Sequence, residues 1–125
     1  MSETVSGRRP PRQLGELSDV FDFLEEMRLR PGMWVRSLDD LSSVLIGYRV
    51  ALEVHGIGEE FDFWPDGPFA QWLWTRLGRH SSLGWAAEIG REAEAASISP
   101  LDLFFTFVDE FRADRRPESL GRLAP

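Results

Sequence analysis

An all-α fold, a compact single-domain bundle of about five helices, is what this sequence predicts, and three observations predict it. Apolar residues recur at helical spacing in five separate segments, no segment alternates apolar and polar residues as a half-buried strand would, and Ser, Pro and Gly punctuate the segments where helices start and stop. With 125 residues, 42% of them hydrophobic and 12% aromatic, the chain suits one domain with a real core. The expected helical domain covers residues 16–112. An Arg, Pro, Gly and Ser-rich arm over residues 1–15 and a tail over 113–125 are expected to be flexible.

The first helix is expected after Ser18 as cap, with Leu17, Val20, Phe23, Leu24 and Met27 on one face. Asp19, Asp22, Glu25 and Glu26 take the other, which makes it a surface helix. It should end at Arg30, because Pro31 disfavours α geometry in the residue before it and Gly32 is free to take a positive φ. Arg28 and Arg30 would neutralise the helix end, and Met33, Trp34 and Val35 would plug the junction with the next helix. Arg30, Pro31, Gly32, Met33 and Trp34 are thus read as a structural turn.

Ser37 and Asp40 open the second helix, and Gly56 stops it after His55. Leu38, Leu41, Val44, Leu45, Tyr48, Ala51 and Leu52 form one stripe. Ile46, Val50 and Val54 form another, so this helix is expected at the centre, packed on two sides, with Gly47 permitting a close helix crossing. The third helix starts at Pro68 and buries Phe69, Ala70, Leu73 and Leu77. The fourth follows a Ser cap in "HSSLGWAAEIGREAEAA", with Leu83, Trp85, Ala86 and Ile89 inward. The fifth begins with Ser99, Pro100 and Asp102 and buries Leu101, Phe104, Phe107, Val108 and Phe111.

Charge narrows the function. Lys and Arg number 14 against 21 Asp and Glu, a formal net charge of −7, so the surface repels phosphate backbones and nucleic acid is a poor partner. There is no Cys, which removes thiolate catalysis and zinc–thiolate sites. No apolar run reaches membrane-spanning length and the N-terminus lacks a signal-peptide core, so no membrane partner and a cytoplasmic location are expected.

Enzyme chemistry finds little footing. His55 and His80 are the two histidines, and neither stands in a nucleophile motif; Ser81 and Ser82 beside His80 read more simply as helix caps. His55 with Glu59 or Glu60 lies across a Gly-rich turn without regular ligand spacing. The pairs Asp39–Asp40 and Glu59–Glu60 read as solvated surface acids. No catalytic residue, metal ligand or cofactor is therefore expected.

Two resemblances concern the "RLRPGMWV" stretch. Locally it resembles a segment near the start of the ATPase domain of type II topoisomerase B subunits. That domain also needs a larger α/β sandwich and Gly-rich lids, of which this sequence has no counterpart. Over residues 23–112 the chain is similar to a set of small bacterial proteins that share an order of motifs. These are matched here by Arg30 to Val35, Gly47-Tyr48, Phe69 to Trp74, Ser82 to Ile89 and Phe104 to Phe111, with Arg36 standing where the pattern has Gly. The resemblance implies a helical domain akin to immunity or accessory proteins of bacterial conflict systems, and carries over no catalytic residue.

A protein-binding role is the expectation, the partner having a basic surface; self-pairing stays open, and a small ligand-binding domain or accessory enzyme subunit is the alternative. The candidate surface is Glu59, Glu60, Asp62, Trp64, Asp66, Trp72 and Trp74, where acids and aromatics fall together. Trp34 and Trp85 are expected in the core. Trp72 and Trp74 lie about 160° apart around the third helix, so one of them should be partly exposed. The loop aromatics either anchor a partner or tuck into the core.

Overall fold

The computed structural model describes residues 10–115, so residues 1–9 of the expected arm and 116–125 of the expected tail lie outside it. Among the described residues five α-helices form: α1 Val20–Leu29, α2 Leu38–Val54, α3 Pro68–Leu77, α4 Trp85–Ala96 and α5 Pro100–Asp114. No strand occurs among the described residues. Contacts divide the chain between Arg36 and Ser37 into two compact units.

In the first unit, Asp19 rather than Ser18 caps α1, accepting from the Asp22 backbone N–H at 3.0 Å. Both residue types can cap. Asp19 holds the extended backbone, and the Ser18 N–H donates instead to the Asp22 carboxylate at 2.8 Å. Leu17 accordingly precedes α1, as the cap of a 3-10 turn at Leu14–Glu16. Glu26, expected on the solvent face, is 5% exposed because Arg12 covers it. The Arg12 backbone N–H donates to Oε1 at 3.0 Å and its Nε to Oε2 at 2.7 Å. This pairing raises the Arg12 pKa, chiefly through the Glu26 hydrogen bond. Arg12 and Gln13, both within the expected arm, thus make contacts with α1 and with Glu16 respectively.

The Pro-Gly corner is a 3-10 turn, Pro31–Met33, closed by the Trp34 N–H on the Pro31 carbonyl at 2.9 Å. Gly32 takes no positive φ; the helix breaks at Arg30, whose φ of −143 precedes a ring-fixed proline. The expected plug does not form from Met33 and Trp34. Met33 is 72% and Trp34 37% exposed, Trp34 resting edge-on against Phe23 at 5.3 Å, while Val35 is buried. A turn this tight points successive side chains in different directions, so three apolar residues in a row cannot all face inward.

The second unit is built on α5, with α4 and α3 packed against it and α2 against α4 and α5. Phe104 and Phe111 of α5 meet Phe69 of α3, and Phe104 stacks on Trp85 of α4; Phe105, Phe107 and Val108 of α5 are buried as well. Ser37 and Ser99 cap α2 and α5 through the Asp40 and Asp102 N–H groups, and Pro68 and Pro100 occupy first turns, all as expected. Helix α2 ends in a Schellman motif: the Ile57 N–H bonds the Leu52 carbonyl, the Gly56 N–H bonds that of Glu53, and Gly56 sits at φ 64.

Helix α4 starts later than its serines promise. Gly84, at φ 98, is its N-cap, and Leu83 is 67% exposed instead of buried. The Ser81 hydroxyl accepts from the Leu83 N–H, so the serines shape the approach loop. That loop is pinned by Glu88, which is 1% exposed. Its Oε1 accepts from Arg79 Nε at 3.1 Å and Nη2 at 2.9 Å, and its Oε2 from Arg91 at 3.2 Å. Arg79 also reaches Glu92 at 2.7 Å. The Ser81 hydroxyl and then Arg79 hold the Glu88 carboxyl below its usual pKa.

Two expectations about α2 are corrected. Leu38, Leu41, Leu45 and Leu52 are buried, but the second stripe is not: Ile46, Val50 and Val54 are 45%, 52% and 71% exposed. No helix crosses closely at Gly47 either, since a methyl group there would meet nothing within 4 Å.

Candidate functional site

The chain between α2 and α3 holds most of the candidate surface. Its course is fixed by a close backbone approach at Gly67, where an added Cβ would lie 3.0 Å from the Asp62 carbonyl oxygen and 3.2 Å from that of Trp64. The Gly67 N–H donates to the Trp64 carbonyl at 2.8 Å, and the Phe69 N–H to the Asp62 carbonyl at 3.0 Å. The loop thus supplies an acceptor to an otherwise unpaired N–H at the start of α3.

This turn sorts the aromatics. Phe63 is 2% exposed, with its ring centroid 5.1 Å from Phe69, while its carbonyl accepts from the buried Trp85 indole at 3.2 Å. Trp64, one residue on, is 40% exposed, with the Arg49 guanidinium 4.6 Å over its ring. Arg49 is itself paired with Glu53 on the next turn of α2. A cation over an indole face, fixed from its other side by a carboxylate, immobilises a large aromatic at the surface without burying it. Of the two readings of the loop, Phe63 follows the core and Trp64 the surface.

The acids divide similarly. Glu60 and Asp66 are exposed. Glu59 is half-buried and accepts from the Tyr48 hydroxyl at 2.6 Å, Tyr48 in turn stacking on Phe61. Asp62 is not a rim acid: it is 6% exposed and accepts from Arg115 at 2.7 Å. The sequence showed Asp62 beside other acids and gave no sign of a partner far along the chain.

The two tryptophans of α3 differ in burial. Trp74 is 8% exposed, against His80. Trp72 is half-buried among Phe69, Phe107 and Phe111, and its indole N–H donates to Asp114 at 2.7 Å. The expectation that one of the pair would be partly exposed holds for Trp72, and Trp85 is buried as expected.

The exposed members of the candidate set are Trp64, Glu60 and Asp66. A cleft of about 240 Å³ is lined by Ser42, Pro65, Ser82, Leu83, Gly84, Trp85 and Ala86, none of which carries an ionisable side chain for acid–base work. Among the described residues no three His, Cys, Asp or Glu side chains are grouped to hold a metal, and no helix is long and apolar enough to cross a membrane. No family model, curated protein or solved structure matches this chain.

Proposed function

We propose that this chain is a non-catalytic protein-binding domain, an immunity-type inhibitor or accessory partner of a bacterial toxin or effector, that engages a basic protein surface. The observation that carries the reading is Trp64, a surface indole held by Arg49, with exposed Glu60 before it and exposed Asp66 after it in the loop. A pre-positioned tryptophan loses little conformational freedom when a partner covers it, and neighbouring acids speed encounter with a cationic surface. The binding set is narrower than the sequence implied. It comprises Trp64, Glu60 and Asp66, with Glu59, Asp62, Trp72 and Trp74 holding the scaffold.

Affinity capture from the native cell, comparing the natural chain with Trp64→Ala, tests this. A partner encoded beside a toxin-domain gene is the expected catch. Trp64→Ala should raise its off-rate and cost about 1–2 kcal/mol, the order of an interface anchor. Neutralising Glu60 and Asp66 should slow association and flatten its salt dependence. A folded Trp64→Ala chain that captures the same partner with unchanged kinetics refutes the assignment.

A further inference from the structure

The cleft of about 240 Å³ opens beside Trp64, because Pro65, the next residue of the loop, forms one of its walls and Ser42 of α2 another. Ser42 and Arg49 are about two helical turns apart on α2, so they point the same way about 10 Å apart along its axis. Arg49 lies over the Trp64 ring while Ser42 lines the cleft, which sets indole and cleft side by side. Leu83, 67% exposed, is the third wall, and the buried Trp85 with Ala86 forms the floor. The Trp85 indole N–H is already given to the Phe63 carbonyl. The polar groups that the lining side chains offer an occupant are therefore the Ser42 and Ser82 hydroxyls, which no other described residue engages.

Size and charge together select the occupant. Pockets for cofactors and other small-molecule ligands measure about 300–1,000 Å³, so this cleft falls short of them and is sized for one side chain. No residue of the lining is ionisable. A Lys, Arg, Asp or Glu head would be desolvated there without a counter-charge. An aliphatic side chain would cover both serine hydroxyls and leave them unpaired. Tyrosine and tryptophan meet both conditions, with a ring for Pro65, Leu83 and Trp85 and an O–H or N–H for a serine oxygen. Both are also residues that carry binding energy at interfaces, where anchors of one protein tend to sit against those of the other.

We propose that the cleft between α2, Pro65 and the start of α4 is the socket for a tyrosine or tryptophan side chain of the partner protein, set beside Trp64 so that each protein contributes one aromatic anchor. The proposal rests on the reading of this chain as a protein-binding domain, and adds which side chain of the partner is recognised and where.

The test titrates the full chain with the N-acetyl amides of tyrosine, tryptophan, leucine and lysine, followed by amide shift mapping. The two aromatic amides should give saturable shifts at Ser42, Leu83, Gly84 and Ala86, and the leucine and lysine amides should not. Ala86→Met, which puts a longer side chain into the cleft from a helical position, should weaken aromatic binding roughly tenfold or more. Leu83→Ser removes a wall at an exposed position and serves as the second variant should Ala86→Met fail to fold. Saturation by the leucine or lysine amide at equal strength, shifts on another surface, or indifference to both variants overturns the proposal. So does concentration-dependent dimerisation abolished by Trp64→Ala, which assigns the cleft to the indole of a second copy. A cellular partner that depends on Trp64 but ignores both Ala86→Met and Leu83→Ser overturns the socket and leaves the protein-binding reading standing. Aromatic binding in the cleft with no cellular protein captured supports the site and counts against that reading.

Discussion

Replacing Glu88 with Gln tests whether the buried carboxylate clamp holds the start of α4 by its charge. The amide keeps the shape but forfeits the anion that accepts from Arg79 at 2.9 and 3.1 Å, from Arg91 at 3.2 Å and from Ser81. A hydrogen bond to a charged group contributes about 1.5–3 kcal/mol, against about 1 kcal/mol for a neutral one. Breaking a fully buried ion pair costs about 3–5 kcal/mol, mostly because the orphaned charge stays buried. Here the Arg79 and Arg91 side chains are 44% and 66% exposed and can rehydrate, so the loss should fall lower, at about 2 kcal/mol. Urea unfolding of both proteins at neutral pH should show that gap with an unchanged slope. The pH dependence supplies a second check. The folded-state carboxyl titrates below its unfolded value, so its contribution is complete above the ordinary Glu pKa and is lost as pH falls through that value toward the folded one. The difference between the two proteins should therefore close on the acid side. A gap below about 0.5 kcal/mol at neutral pH, or one that does not shrink in acid, would refute the clamp as an electrostatic device.

Gly47→Ala should stabilise the chain by about 0.5–1 kcal/mol in the same assay, because the site is helical and its methyl group meets open space. Destabilisation there would mean that the outer face of α2 is packed. Gly67→Ala should act in the opposite sense, costing about 1–3 kcal/mol, since a Cβ 3.0 Å from the Asp62 carbonyl forces the backbone apart. The Trp64 indole resonance should shift in that variant, and an unshifted resonance would show that the Gly67 turn does not position Trp64.

Sequence reasoning reached the helices because their determinants are local. Ser37, Ser99, Pro68 and Pro100 act within one turn, and the Phe-rich stripe of α5 repeats at helical spacing. It failed where a residue's environment is set from a distance. Glu26 and Glu88 look like solvated helix acids until Arg12 and Arg79 arrive from 14 and 9 residues away. Asp62 depends on Arg115, 53 residues on. The second apolar stripe of α2 was legible as a stripe, but periodicity reports that a face is apolar and says nothing of what covers it. Within the candidate site, Trp64 stood out because its neighbours in the loop are apolar or acidic. The Arg49 stack that holds it joins two segments no local rule connects.

The far end of α5 sets a limit on how much of the chain can be removed. Asp114 receives the Trp72 indole N–H, Glu110 pairs with Arg76 at 2.9 Å, and Arg115 holds Asp62 two residues before Trp64. A chain cut after residue 112 would keep every buried phenylalanine of α5 yet lose both Asp114 and Arg115. The loop presenting Trp64 would then lose the guanidinium that neutralises Asp62 at its base, and that carboxylate would have to be rehydrated. A minimal fragment that preserves the presentation of Trp64 has to run through Arg115, and an insertion or fusion placed between residues 112 and 115 would loosen the loop from the opposite end of the sequence.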